Sequence, residues 1–129
     1  MTFRQFLQLQ MAAFLFFGLA LGAVPGPFLE GVYGMDDAGD TAWVRCFGAT
    51  LLGIAYMEWT LIQNLGNNLA MARSFIGVPL LLTIVFVFTL IDGTDVYNDF
   101  FNISSLAITS FYTLGHVWFL RSTTETAKV

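Results

Sequence analysis

Apolar residues fill four windows of this sequence, at residues 6–24, 43–63, 75–91 and 101–120. Each approaches or reaches the roughly 20 residues that cross about 30 Å of hydrocarbon. Lipid offers no partner to a backbone N–H or C=O, so membrane segments of this length are helices. Composition points the same way: 57% of the 129 residues are hydrophobic and 11% are charged, where a soluble domain carries about a quarter charged residues. A soluble fold this small has too little interior to hide so much apolar surface. The expected fold is all-α, an integral membrane, left-handed four-helix transmembrane bundle forming a single domain over residues 1–129.

The connections differ in character. Residues 25–41 read as a Gly/Pro/Asp-rich loop, 64–73 as a short polar turn and 92–99 as an acidic turn. Within the first, residues 27–33 interleave apolar residues with glycine, a pattern suited to the membrane interface. Tyr97, Phe100 and Phe101 supply an aromatic belt at that level. Pro79, near the start of the third window, is expected to kink it. Arg4 and the apolar run after it resemble a signal peptide. The run leads into Pro25-Gly26-Pro27 rather than a small-x-small cleavage site, and reads as a retained first helix.

Four crossings place both termini on one side. That side carries Arg4, Arg73, Arg121 and Lys128, against Arg45 alone near the other. Basic residues stay in the cytoplasm, so both termini are expected there, in a bacterial inner membrane. The outer side carries Glu30, Asp36, Asp37, Asp40, Asp92, Asp95 and Asp99.

Sorting polar residues at 100° per residue picks out faces. On the fourth window Asn102, Ser105, Thr109, Tyr112, Thr113 and His116 share an arc opposite Ile103, Ala107, Phe111 and Trp118. Such a stripe faces a protein interior, either for interhelical hydrogen bonds or to line a pocket. On the second window Arg45, Gly48, Ala49, Leu52, Tyr56, Trp59 and Gln63 share a face, read as inward. Gly18-x-x-x-Gly22, with Gln8 and Ala12 on a similar side, is the candidate packing face of the first window. Glu58 falls on the other face of the second window, among Phe47, Leu51, Ile54 and Ile62. An intramembrane acid costs about 2.5–3.5 kcal/mol on insertion scales. Three accounts of it stand open: access to headgroups, pairing with His116 or a basic end group, and contact with another chain.

Several chemistries lack support. A net charge of −4 offers no basic patch for nucleic acid. Cys46 is the only cysteine, so it can form no intrachain disulfide, and it reads as a small hydrophobe. No phosphate-binding loop, zinc-helix or nucleophile-elbow motif occurs. Asp92-Gly93-Thr94-Asp95 with Asp99 matches a calcium loop only in acidity. No cofactor, metal or catalytic residue is assigned. An enzyme reading rests on Glu58 and His116 acting as an acid–base pair, and it is the weakest of those considered.

The run Arg45-Cys46-Phe47-Gly48-Ala49-Thr50-Leu51-Leu52-Gly53 resembles the start of the second helix in small DoxX-like four-helix membrane proteins, where an arginine precedes a glycine- and leucine-rich stretch after a long loop. The layout of one span, a Pro/Gly-rich loop and three close spans is similar too. The resemblance implies a polar role for Arg45 near the outer mouth of the bundle, and association with redox-linked membrane complexes or with lipid and sterol pockets. Two functions are therefore expected. One is a non-catalytic accessory or structural subunit in a larger membrane complex, with Arg45 and Glu58 as buried polar or partner-contacting residues. The other is a self-sufficient binding module for a lipid, quinone or pigment tail, bordered by Tyr56, Gln63, Tyr112, Thr113 and His116. Partners would be membrane lipids, larger membrane subunits or a second copy.

Overall fold

The structure is a computed structural model and describes residues 1–35, 42–92 and 99–126. Most of the described residues are helical, with no strand among them. The chain divides into two compact units, Met1–Asn67 and Asn68–Val129.

In the first unit, α1 (Phe3–Ala23) begins at a capping box. Thr2 Oγ1 accepts from Gln5 N at 3.2 Å, and Gln5 Oε1 accepts from Thr2 N at 2.8 Å. Two helix-start donors are thereby satisfied, and the helix begins three residues before the apolar window. It ends at Val24, whose φ of −134° and ψ of 53° lie outside the helical region. Proline clashes with a helical residue before it, so Pro25 forces that break.

Residues 25–33 are not the loop expected. They form α2 (Pro25–Tyr33), since proline at the first helical position has its φ preset and no N–H to satisfy there. Pro25, Leu29 and Tyr33, four residues apart, are its buried stripe, and α2 packs on α1. Phe28 meets the rings of Phe16, Phe17 and Tyr33 edge-on, at 6.0, 6.2 and 5.7 Å. Gly34, with φ of 64°, ends α2 in the left-handed conformation that glycine adopts without a steric penalty. Asp36, Asp37 and Asp40 lie outside the described residues.

Helix α3 (Ala42–Gln63) returns antiparallel to α1 and packs along it. The seam contains Gly18, Gly22 and Gly48. A Cβ on Gly48 would collide with Gly22 N and stand 2.8 Å from Gly22 Cα and Leu21 C. Two helix backbones thus touch here, which glycine alone allows. The face of α3 that packs is turned by about a quarter turn from the one expected, with Gly48 common to both and Leu52 against Gly18. Its buried residues are Val44, Gly48, Leu51, Ala55, Glu58, Leu61 and Ile62, spaced by threes and fours. Arg45, Ala49, Tyr56, Trp59 and Gln63 are exposed. On α1 the buried stripe is Phe6, Leu7, Gln10, Phe14, Gly18 and Leu21. Gln8 and Ala12 are exposed.

In the second unit the expected turn at residues 64–73 is partly helix, α4 (Leu69–Ser74), and α5 (Gly77–Asp92) follows after Phe75 and Ile76. Pro79 explains the interruption. It has no N–H to give the Phe75 carbonyl, which accepts instead from Val78 N at 3.2 Å. The bonds tighten to three-residue spacing there, since Ile76 N also reaches back to Arg73 O at 3.3 Å. The last helix, α6 (Asp99–Thr126), runs past the end of the fourth apolar window at residue 120. No proline or glycine occurs between Arg121 and Thr126 to stop it. Helices α5 and α6 pack together, with Thr83 Oγ1 and Thr113 Oγ1 3.3 Å apart and the Phe86 and Phe101 rings at 6.2 Å.

Three segments are long and apolar enough to cross a membrane: Phe3–Ala23, Leu69–Asp92 and Phe100–Arg121. The chain is thus a membrane protein by its helices. Helix α3 is not among the three, although its 22 residues would span about 33 Å at 1.5 Å each. Arg45, Glu58 and Gln63 dilute its apolar character.

Candidate functional site

Glu58 stands out chemically. It lies on the buried face of α3, two residues beyond the exposed Tyr56, because 200° of helical rotation separates the two side chains. Its relative exposure is 0%, and neither carboxyl oxygen has a hydrogen-bond partner. Buried polar groups in folded proteins are nearly always bonded, so such a group calls for a physical account. Direct access to headgroups, one of the three accounts open from sequence, does not fit a fully enclosed carboxyl.

The seam around Glu58 can be followed from the glycine contacts. Gly22 faces Gly48, and the chains run in opposite directions. Gln10 lies about 18 Å along α1 from Gly22, and Glu58 about 15 Å along α3 from Gly48, at 1.5 Å per residue. The two are therefore level to within ~3 Å, and both have 0% exposure. Sequence reasoning passed over Gln10 in favour of Gln8. The signal that finds it is the spacing of Leu7, Gln10, Phe14, Gly18 and Leu21.

The other candidates fall into two groups. Arg45, Tyr56 and Gln63 belong to the first unit and are exposed on α3, Tyr56 at 65%. Tyr56 and Trp59 stack at 6.0 Å with an interplanar angle of 35°. Tyr112, Thr113 and His116 belong to the second unit. Tyr112 and His116 are buried and Thr113 is half-buried, on the same side of α6 as Asn102 and Thr109. Ile103, Ala107, Phe111 and Trp118 are exposed on the other side. Thr109 and Thr113 donate their hydroxyls to Ser105 O and Thr109 O, both at 2.9 Å. These in-helix bonds let hydroxyls sit within an apolar setting.

Cys46 is exposed. Among the described residues no three His, Cys, Asp or Glu side chains come together to hold a metal. The calcium-like turn falls mostly on residues 93–98, outside those described. No family model, curated protein or solved structure matches this chain.

Proposed function

We propose that this protein is a non-catalytic accessory subunit, a four-helix transmembrane protein of the bacterial inner membrane that packs against larger subunits of a membrane complex. The observation that carries this reading is the exposed side of α3. Arg45, Tyr56, Trp59 and Gln63 lie along it, about a quarter turn around α3 from the face that packs on α1. Polar stripes on membrane helices face protein rather than lipid, and Tyr, Trp and Arg are the residues that anchor interfaces. A larger subunit covering this stripe would also make α3 a fourth crossing, because lipid would then meet little of its polar side. Both termini would face the cytoplasm, with Arg4, Arg73 and Arg121 at that surface.

The buried stripe of Tyr112, Thr113 and His116 favours a second reading, a self-sufficient binding module for a lipid or quinone tail. Purification from native membranes at natural expression levels separates the two. The accessory role predicts recovery with larger subunits at fixed stoichiometry. A monomer or homodimer carrying bound lipid would sink it and favour the binding module.

A further inference from the structure

Helix α2 takes no part in the role just proposed, and its place beside α1 points to what it meets. Its nine residues rise about 14 Å, well short of the roughly 30 Å of hydrocarbon, so it does not cross. One residue, Val24, joins it to the end of α1, which is long and apolar enough to span. The apolar run of α1 from Phe6 to Val24 covers roughly 28 Å at the same rise, close to the hydrocarbon thickness. Helix α2 therefore begins where hydrocarbon gives way to headgroups.

The ring contacts show which way it lies. Phe28 meets Phe16 and Phe17, which stand roughly 120–140° round α1 from the Gly18–Gly22 side where α3 packs. Helix α2 is thus on the far side of α1 from α3, not wedged between them. Beside its buried stripe, Phe28 and Val32 form a second apolar strip, about 40° apart, and Val32 is 54% exposed. Glu30 is exposed about 160° round from both. The Phe16–Phe28 contact joins the strip to exposed Phe16 and Leu19 on α1, a surface that lipid covers because α1 crosses. Two residues are too few for a protein interface, whereas lipid needs only continuity with apolar surface it already covers.

We infer that α2 is an in-plane membrane-surface helix, with Phe28 and Val32 in the headgroup–acyl boundary of the leaflet where α1 ends and Glu30 facing water. Its rings are locked edge-on to α1, so the level of α2 fixes the depth of α1 in the bilayer. The inference uses only the crossing of α1 and stands whether or not a larger subunit covers α3.

The test uses the full-length protein carrying Cys46→Ser, in vesicles of phosphatidylethanolamine and phosphatidylglycerol. Nitroxide labels are placed singly through Val32→Cys, Glu30→Cys and Leu19→Cys, all exposed positions where a label disturbs no packing. Collision with oxygen, which concentrates in hydrocarbon, is compared with collision with a water-soluble nickel chelate. The oxygen-to-nickel ratio is expected to be several-fold higher at Val32 than at Glu30, and higher again at Leu19. A chelate that reaches Val32 as readily as Glu30 overturns the inference by placing α2 in water. Shielding of Val32 from both reagents overturns it by placing protein there. A ratio at Glu30 equal to that at Val32 and rich in oxygen overturns it by submerging the whole helix.

Discussion

At the scale of single residues, the α1–α3 seam makes graded demands on its glycines. Gly48 has backbone where a methyl group would go, Gly18 has the flexible end of Leu52 at 2.8 Å, and Gly22 has only ordinary contact at 3.8 Å. Alanine at 48 is therefore expected to be the most disruptive, by about 1–3 kcal/mol as overpacking usually is. Alanine at 18 should cost less, because Leu52 can rotate away, and alanine at 22 should be nearly neutral. Thermal denaturation in detergent checks the order, and equal effects at 48 and 22 would contradict the register. Glu58 has the opposite sign. Replacing an enclosed, unbonded carboxyl with a side chain of similar volume removes a desolvation penalty of about 1–3 kcal/mol. Glu58→Met should therefore raise the melting temperature in detergent. A clear fall in stability would show that the carboxyl makes a structural bond.

Among the elements, the interruption between α4 and α5 belongs to Pro79. Pro79→Ala restores an N–H for the Phe75 carbonyl, and a continuous helix over residues 69–92 is expected. Backbone chemical shifts at Phe75 and Ile76 moving to helical values would confirm it. The Thr83–Thr113 contact should be worth little. Each hydroxyl already donates within its own helix, to Pro79 O at 2.7 Å and Thr109 O at 2.9 Å, and has only one proton. A double-mutant cycle with valine at both positions is expected to give no more than ~0.6 kcal/mol, the average for membrane-helix contacts. A coupling above 1.5 kcal/mol would mean that the hydroxyls have rearranged to bond each other.

For the molecule as a whole, parity tests the number of crossings. Four crossings leave both termini on one side, and three leave them on opposite sides. Reporter fusions at the two ends should both show cytoplasmic location if α3 crosses. With Cys46 replaced by serine, a cysteine at Ala38 should react with an impermeant maleimide in intact cells. Reaction only after permeabilisation would reverse the orientation.

Helix positions were largely legible without coordinates, because bilayer-length apolar runs bounded by Pro, Gly and Asp admit few other structures. The polar stripe of α6 was legible for a related reason: its polar and apolar arcs are cleanly separated, so periodicity alone orients it. Helix α3 was not, since it carries polar residues on both sides, Tyr56 and Gln63 on one and Glu58 on the other. Nothing in its own periodicity says which side meets a neighbour. The choice came from steric fit, where Gly48 lets the backbone of Gly22 approach and so turns Glu58 inward beside Gln10. That fit is a property of two surfaces together, and one helix read alone does not contain it.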